Sequence, residues 1–192
     1  MPRYQDSPPD HPHFAAVSSD CADLGKALHT YEVPQQTSTF ALECAVLHRT
    51  LIDGNVTRHP ESHFLDFVID GESLSARMSA SGDLVTPLNR AWLPTVPDAI
   101  DELLGRRPSP GLAVSRVALL VCGDCGDLGC GAVTASVHMD ADSVRWADFL
   151  WENSYSEPSP AVSAPEAIVF RRGDYEATLR GAYERIVALP YD

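Results

Sequence analysis

Cys122, Cys125 and Cys130 sit in one short run, Leu120-Val121-Cys122-Gly123-Asp124-Cys125-Gly126-Asp127-Leu128-Gly129-Cys130-Gly131, which holds three of the chain's five cysteines. The spacing Cys-x2-Cys-x4-Cys suits a tetrahedral metal such as zinc. A Cys-x2-Cys reversal lets two thiolates reach one ion, and a small residue after each cysteine lets the backbone curl towards sulfur. Gly123, Gly126 and Gly131 follow the three cysteines. The set lacks a fourth member. A retroviral-type knuckle, Cys-x2-Cys-x4-His-x4-Cys, finds Cys130 in its histidine position and Ala135 in its last. The remaining ligand would come from Cys44, His138, Asp124, Asp127 or water. An iron–sulfur cluster also needs four ligands and has weaker support from the spacing.

A thiol-redox pair, Cys122 with Cys125, is the second chemistry the turn offers. Asp124 and Asp127 disfavour a free thiolate and attract a cation, so electrostatics leans towards metal. Phosphate binding is a poor fit. The glycines match neither familiar phosphate-loop pattern, a strand rather than a helix follows, and the two aspartates repel an anion. Packing is the plain alternative, because glycine-rich turns join many hairpins and cysteines fill cores well.

Other residues carry weaker signals. His59 and His63 have the spacing of one helix face, but Glu61 is misplaced for a zinc-protease motif, and the residues from Phe64 onward read as strand. Trp92, Trp146, Phe149 and Trp151 are aromatics for either a core or a pocket. Glu152 and Asn153 fall where a cleft rim would be, and no Gly-x-Ser-x-Gly nucleophile turn is present.

The elements that must position the turn follow from the apolar pattern. Apolar runs and alternation predict strands over 40–47, 64–69 and 84–86, then 117–121, 133–139 and 144–151, with a last one at 168–170; 64–69 and 133–139 alternate, whereas 117–121 is a continuous aliphatic run that reads as a central strand. The cysteine turn thereby joins two antiparallel strands of a meander. A short helix is expected over 97–105, with Pro97 and acids in its first turn and Gly105 at its end. A longer helix, capped by Asp174, should run to about Ala188. Residues 155–166 form a Ser/Pro loop. Residues 1–38 are expected to be a disordered or weakly ordered extension, with a weak helix over 20–31, and 39–192 a single domain. The expected fold is α+β: a largely antiparallel sheet with helices packed on one side.

The chain has 192 residues, 44% hydrophobic and 21% charged, which is enough to bury a core. Its 14 basic and 27 acidic residues give a net charge of −13. That charge disfavours nucleic acid and anionic membranes and suits a basic protein partner, or serves solubility alone. With no apolar run of transmembrane length and no signal-like start, a cytoplasmic location is expected. Thiols stay reduced there, so clustered cysteines read as metal-binding or catalytic before they read as disulfides.

The stretch 119–132, the Trp146-Ala147-Asp148-Phe149 that follows, and Phe170-Arg171-Arg172-Gly173-Asp174-Tyr175-Glu176 resemble a family of actinobacterial proteins with no established activity. That family shares a C-x-x-CGD-x-x-CG turn and a downstream W-x-x-F. The resemblance, over roughly 115–185, implies that the turn is a family feature.

The expectation is a soluble, non-enzymatic binding or accessory protein, of inhibitor or immunity type, whose turn binds zinc through Cys122, Cys125 and Cys130. The alternative is an enzyme, using the same cysteines for thiol-redox or metal-dependent chemistry.

Overall fold

A computed structural model describes residues 36–48, 61–78 and 83–191 in full, and 51–53 and 56–58 as backbone. The extension expected over 1–38, including its weak helix, lies outside the described residues up to position 35. Beyond that point, the Ser38 N–H donates to Val169 O at 2.7 Å, and Thr39 N–H to Asp70 Oδ1 at 2.7 Å.

The fold is α+β with antiparallel sheets, as expected. β1 (Phe40–His48) pairs along its whole length with β4 (Glu61–Ile69), and β5 (Glu72–Ser73) extends that sheet. β2 (Leu51–Asp53) and β3 (Val56–Arg58) pair antiparallel between them, with Asp53 opposite Val56. The left-handed Asp70 and Gly71 close the tight turn after β4, conformations that Asp tolerates and Gly adopts freely.

The larger sheet holds the meander. β6 (Leu84–Val85), β7 (Arg116–Cys122), β8 (Ala132–Met139) and β9 (Ser143–Glu152) pair in that order. β10 (Ser159–Pro160) and β11 (Ala167–Arg171) share the far edge of β9. β10 lies within the expected Ser/Pro loop. Two residues, one of them proline, carry no alternation signal, and proline is tolerated on an edge strand. Register shifts between Ala118 and Leu120 and between Thr134 and Ser136 mark bulges, and β7 is buried along most of its length.

Helices complete the domain: α1 (Leu74–Met78), α2 (Val96–Leu103), α3 (Arg172–Arg180) and α4 (Ala182–Val187). The single C-terminal helix expected to end near Ala188 is two helices that meet at Gly181. Its cap is Arg171, with Asp174 in the first turn. Gly181 has the weakest helix propensity in that segment, so the apolar periodicity continues across a break in the backbone.

Phe40, Phe67, Trp146, Phe170 and Tyr175 form an aromatic centre where β1, β4, β9, β11 and α3 meet, with ring centroids 4.9–5.9 Å apart. The buried Tyr175 hydroxyl donates to Leu103 O at 3.0 Å and ties α3 to α2. Burial pushes the Tyr175 phenol well above its ordinary pKa, so it stays a donor.

Candidate metal centre

β7 and β8 continue their pairing up to Val121 and Ala132, and the cysteine turn closes their shared end. Successive short hydrogen bonds wind it: Gly126 N–H to Cys122 O at 2.9 Å, Cys130 N–H to Asp127 O at 3.2 Å, and Gly131 N–H to Leu128 O at 3.1 Å. Asp127 Oδ1 accepts from Gly129 N–H at 2.7 Å, so this carboxylate shapes the turn. Residues flanking β6 and β9 hold it in place, through Gly123 N–H to Asp83 O at 2.8 Å and Ser154 N–H to Gly129 O at 3.1 Å.

Tryptophans account for two of the glycines. Gly126, at φ +66°, packs so closely on Trp92 that an added Cβ would lie 3.1 Å from the indole. Gly131, at φ +141°, meets the edge of Trp151, where an added Cβ would overlap Cζ2 and Cη2. Trp92 lies in a 3-10 helix, Arg90–Thr95, started by Asn89, whose Oδ1 accepts from Ala91 N–H at 2.9 Å. Asn89 is itself buried and donates to Ser62 Oγ at 2.7 Å, so β4 fixes the Trp92 wall.

This frame brings together all three cysteines the spacing singled out. Their Sγ atoms lie within 4.8 Å of one another, and Cys125 and Cys130 share a hydrogen bond at 3.4 Å. A tetrahedral zinc with bonds of about 2.3 Å places its sulfurs about 3.8 Å apart, so the three thiols already stand near that spacing. Cys122 is half-buried; Cys125 and Cys130 are exposed. Burial works against the Cys122 thiolate, but the N–H groups of Asp124 and Cys125 and the Cys125 thiol point at its sulfur and bring its pKa below the usual thiol value. Hydrogen bonding to Cys125 and the charge of that neighbour push Cys130 up to about 11. Three sulfurs this close cannot all ionise without a cation, whereas a metal removes the conflict by deprotonating them.

The other proposed ligands stand apart. Among the described residues, no further His, Cys, Asp or Glu joins the cluster. Cys44 is exposed on β1 opposite Leu65, and His138 is exposed on β8 opposite Arg145. His63 is half-buried with its Nε2 3.4 Å from Glu61, while His59 lies outside the described residues. Trp146 and Phe149 belong to the core, so of the four aromatics only Trp92 and Trp151 wall the turn.

Glu152 does not stand at a solvated rim. It accepts from Arg116 Nε at 2.9 Å and Thr134 Oγ1 at 2.7 Å, and Arg116 also donates to Thr134 and Ser136. Asn153 Oδ1 accepts from the Tyr155 and Ser156 N–H groups at 2.7 and 2.9 Å and starts the next loop. The sequence held no signal for the Arg116 network, because its members are far apart in the chain and meet only across three strands. A second polar group carried no motif in the sequence either, although its members are only seven and nine residues apart. Buried Asp66 accepts from the hydroxyls of Ser73 and Ser75 beside a cleft of about 620 Å³ next to β1.

Fold and site together define an α+β protein whose antiparallel strands carry a three-cysteine cluster able to hold a metal ion. Compared with protein-family models, curated proteins and solved structures, the chain matches none. Among the described residues no helix is long and apolar enough to cross a membrane.

Proposed function

We propose that this is a cytoplasmic binding protein, of inhibitor or immunity type, whose cysteine turn is held by zinc on Cys122, Cys125 and Cys130. The observation that carries the metal reading is the convergence of three thiols within 4.8 Å on a turn fixed by its neighbours. Soft thiolates favour zinc among common cellular divalent ions, and zinc has no geometric demand that three sulfurs and one further donor fail to meet. The zinc is structural in this reading: it fastens the end of the β7–β8 pair and so the surface beside it. The net charge of −13 supports a basic protein as partner.

The test is metal content by mass spectrometry on protein purified without chelator, with thiols counted before and after denaturation. About one zinc per chain, with the turn thiols shielded until denaturation, is the expected result. No metal under those conditions, and no uptake on adding zinc to reduced protein, overturns the reading.

A further inference from the structure

We infer that Cys125 and Cys130 form an oxidation site for hydroperoxides, at which disulfide formation expels the metal. This rests on the zinc reading above and adds a regulated state to the same site.

Three observations select this pair. Cys125 and Cys130 are both exposed, while Cys122 is half-buried, so an oxidant in solution meets those two sulfurs first. Their Sγ atoms are 3.4 Å apart, in mutual contact. Closing to a disulfide length of about 2.0 Å takes a sulfur movement of about 1.4 Å, within reach of side-chain rotation. Finally, the cluster gathers three cysteines and no other His, Cys, Asp or Glu among the described residues. A disulfide between two of them leaves Cys122 as the only thiolate of the set. A zinc ion with one remaining thiolate loses most of its binding energy.

The chemistry balances with peroxide as the oxidant. One thiolate attacks a peroxide oxygen, the O–O bond breaks, hydroxide leaves, and a sulfenic acid forms. The second thiolate attacks that sulfur, the S–S bond forms, and a second hydroxide leaves. Two protons from solvent convert both hydroxides to water. Two thiolates are oxidised by two electrons in all, and one hydrogen peroxide is reduced to two waters. A dithiol reductant reverses the step and restores the site. The half-buried Cys122 is the anchor that remains.

The zinc-loaded full-length protein tests this directly with hydrogen peroxide. Released zinc is followed with a chromogenic chelator, and free thiols are alkylated before trypsin digestion. Cleavage after Arg116 and Arg145 gives one peptide, 117–145, that carries Cys122, Cys125 and Cys130 and neither of the other two cysteines. The expected result is one zinc released per two thiols lost, the alkyl label on this peptide located at Cys122, and recovery of zinc binding after dithiothreitol. In the double variant Cys122→Ser/Cys130→Ser, which leaves no resolving thiol in the turn, the reaction stops at a sulfenic acid on Cys125, which dimedone traps. Zinc that stays bound in excess peroxide with all three turn thiols intact overturns the inference and leaves the metal reading standing. A disulfide that includes Cys122 also overturns it. A chain that takes up no zinc before peroxide is added overturns the metal reading itself.

Discussion

Gly131 lies directly against the indole edge of Trp151, in a left-handed backbone conformation that leaves no room for a side chain. One strand end of the cysteine turn is therefore set by a contact to β9, with Cys130 immediately beside it. Gly131→Ala adds both backbone strain and overlap. It is expected to destabilise the protein by about 2 kcal/mol or more and to weaken metal uptake. Gly173→Ala is the control. A Cβ there meets nothing within 4 Å, and the change is expected to stabilise α3 by about 0.5–1 kcal/mol. Chemical denaturation of both variants, with zinc titrations, checks the contrast.

Zinc should act as a stabilising ligand. At 100 times its dissociation constant it is expected to add about 2.7 kcal/mol, or roughly 5–10 °C in Tm for a chain of this size. Cys122→Ser is expected to abolish the increment, and Cys44→Ser, which lies outside the cluster, to preserve it. Thermal melts with and without zinc measure this, and an equal shift in the two variants would contradict the site.

The Arg116–Glu152 pair, with Arg116 buried and both residues bonded to Thr134, ties β7, β8 and β9 together. Removing one partner strands a charge in a protected setting. Arg116→Ala is expected to cost about 3 kcal/mol, and the double variant Arg116→Met/Glu152→Gln clearly less. A double-mutant cycle read by urea denaturation checks the coupling.

Asp70 gives the fold an acid-sensitive point. The Thr39 N–H, the Ser38 side chain and the Thr39 hydroxyl hold its carboxyl below the ordinary value of 3.8. A lowered folded-state pKa means that the stabilising contribution is complete above the unfolded value, near pH 4, and is lost as pH falls through the folded value. Asp70→Asn keeps a residue suited to the left-handed conformation but does not titrate. Its stability is expected to fall less steeply than wild type between pH 4 and pH 2. Denaturation midpoints measured across that range decide it.

Local pattern made much of this legible. Apolar residues placed the strands in two ways: β8 by its alternation, and β7 by a short continuous aliphatic run, which is how a strand buried on both faces reads. Proline, acids and glycine marked α2 for the same local reason. The spacing of Cys122, Cys125 and Cys130, with a glycine after each, was sufficient to bring the three sulfurs onto one point, since a reversal of so few residues has little freedom to do otherwise.

What tertiary structure alone decided are the side-chain contacts between different elements. Trp92 and Trp151 became the walls of the turn, Glu152 the partner of Arg116, and Asp66 the acceptor for two serines. Each pairing joins residues on different elements, and their meeting depends on strand register, on bulges at Leu119 and within β8, and on the path of the 3-10 helix. The break at Gly181 belongs with them: an apolar stripe records which face is buried, whereas backbone continuity depends on what each turn of helix packs against. The sequence by itself determined which side chains gather at the turn, and the fold determined what holds them there.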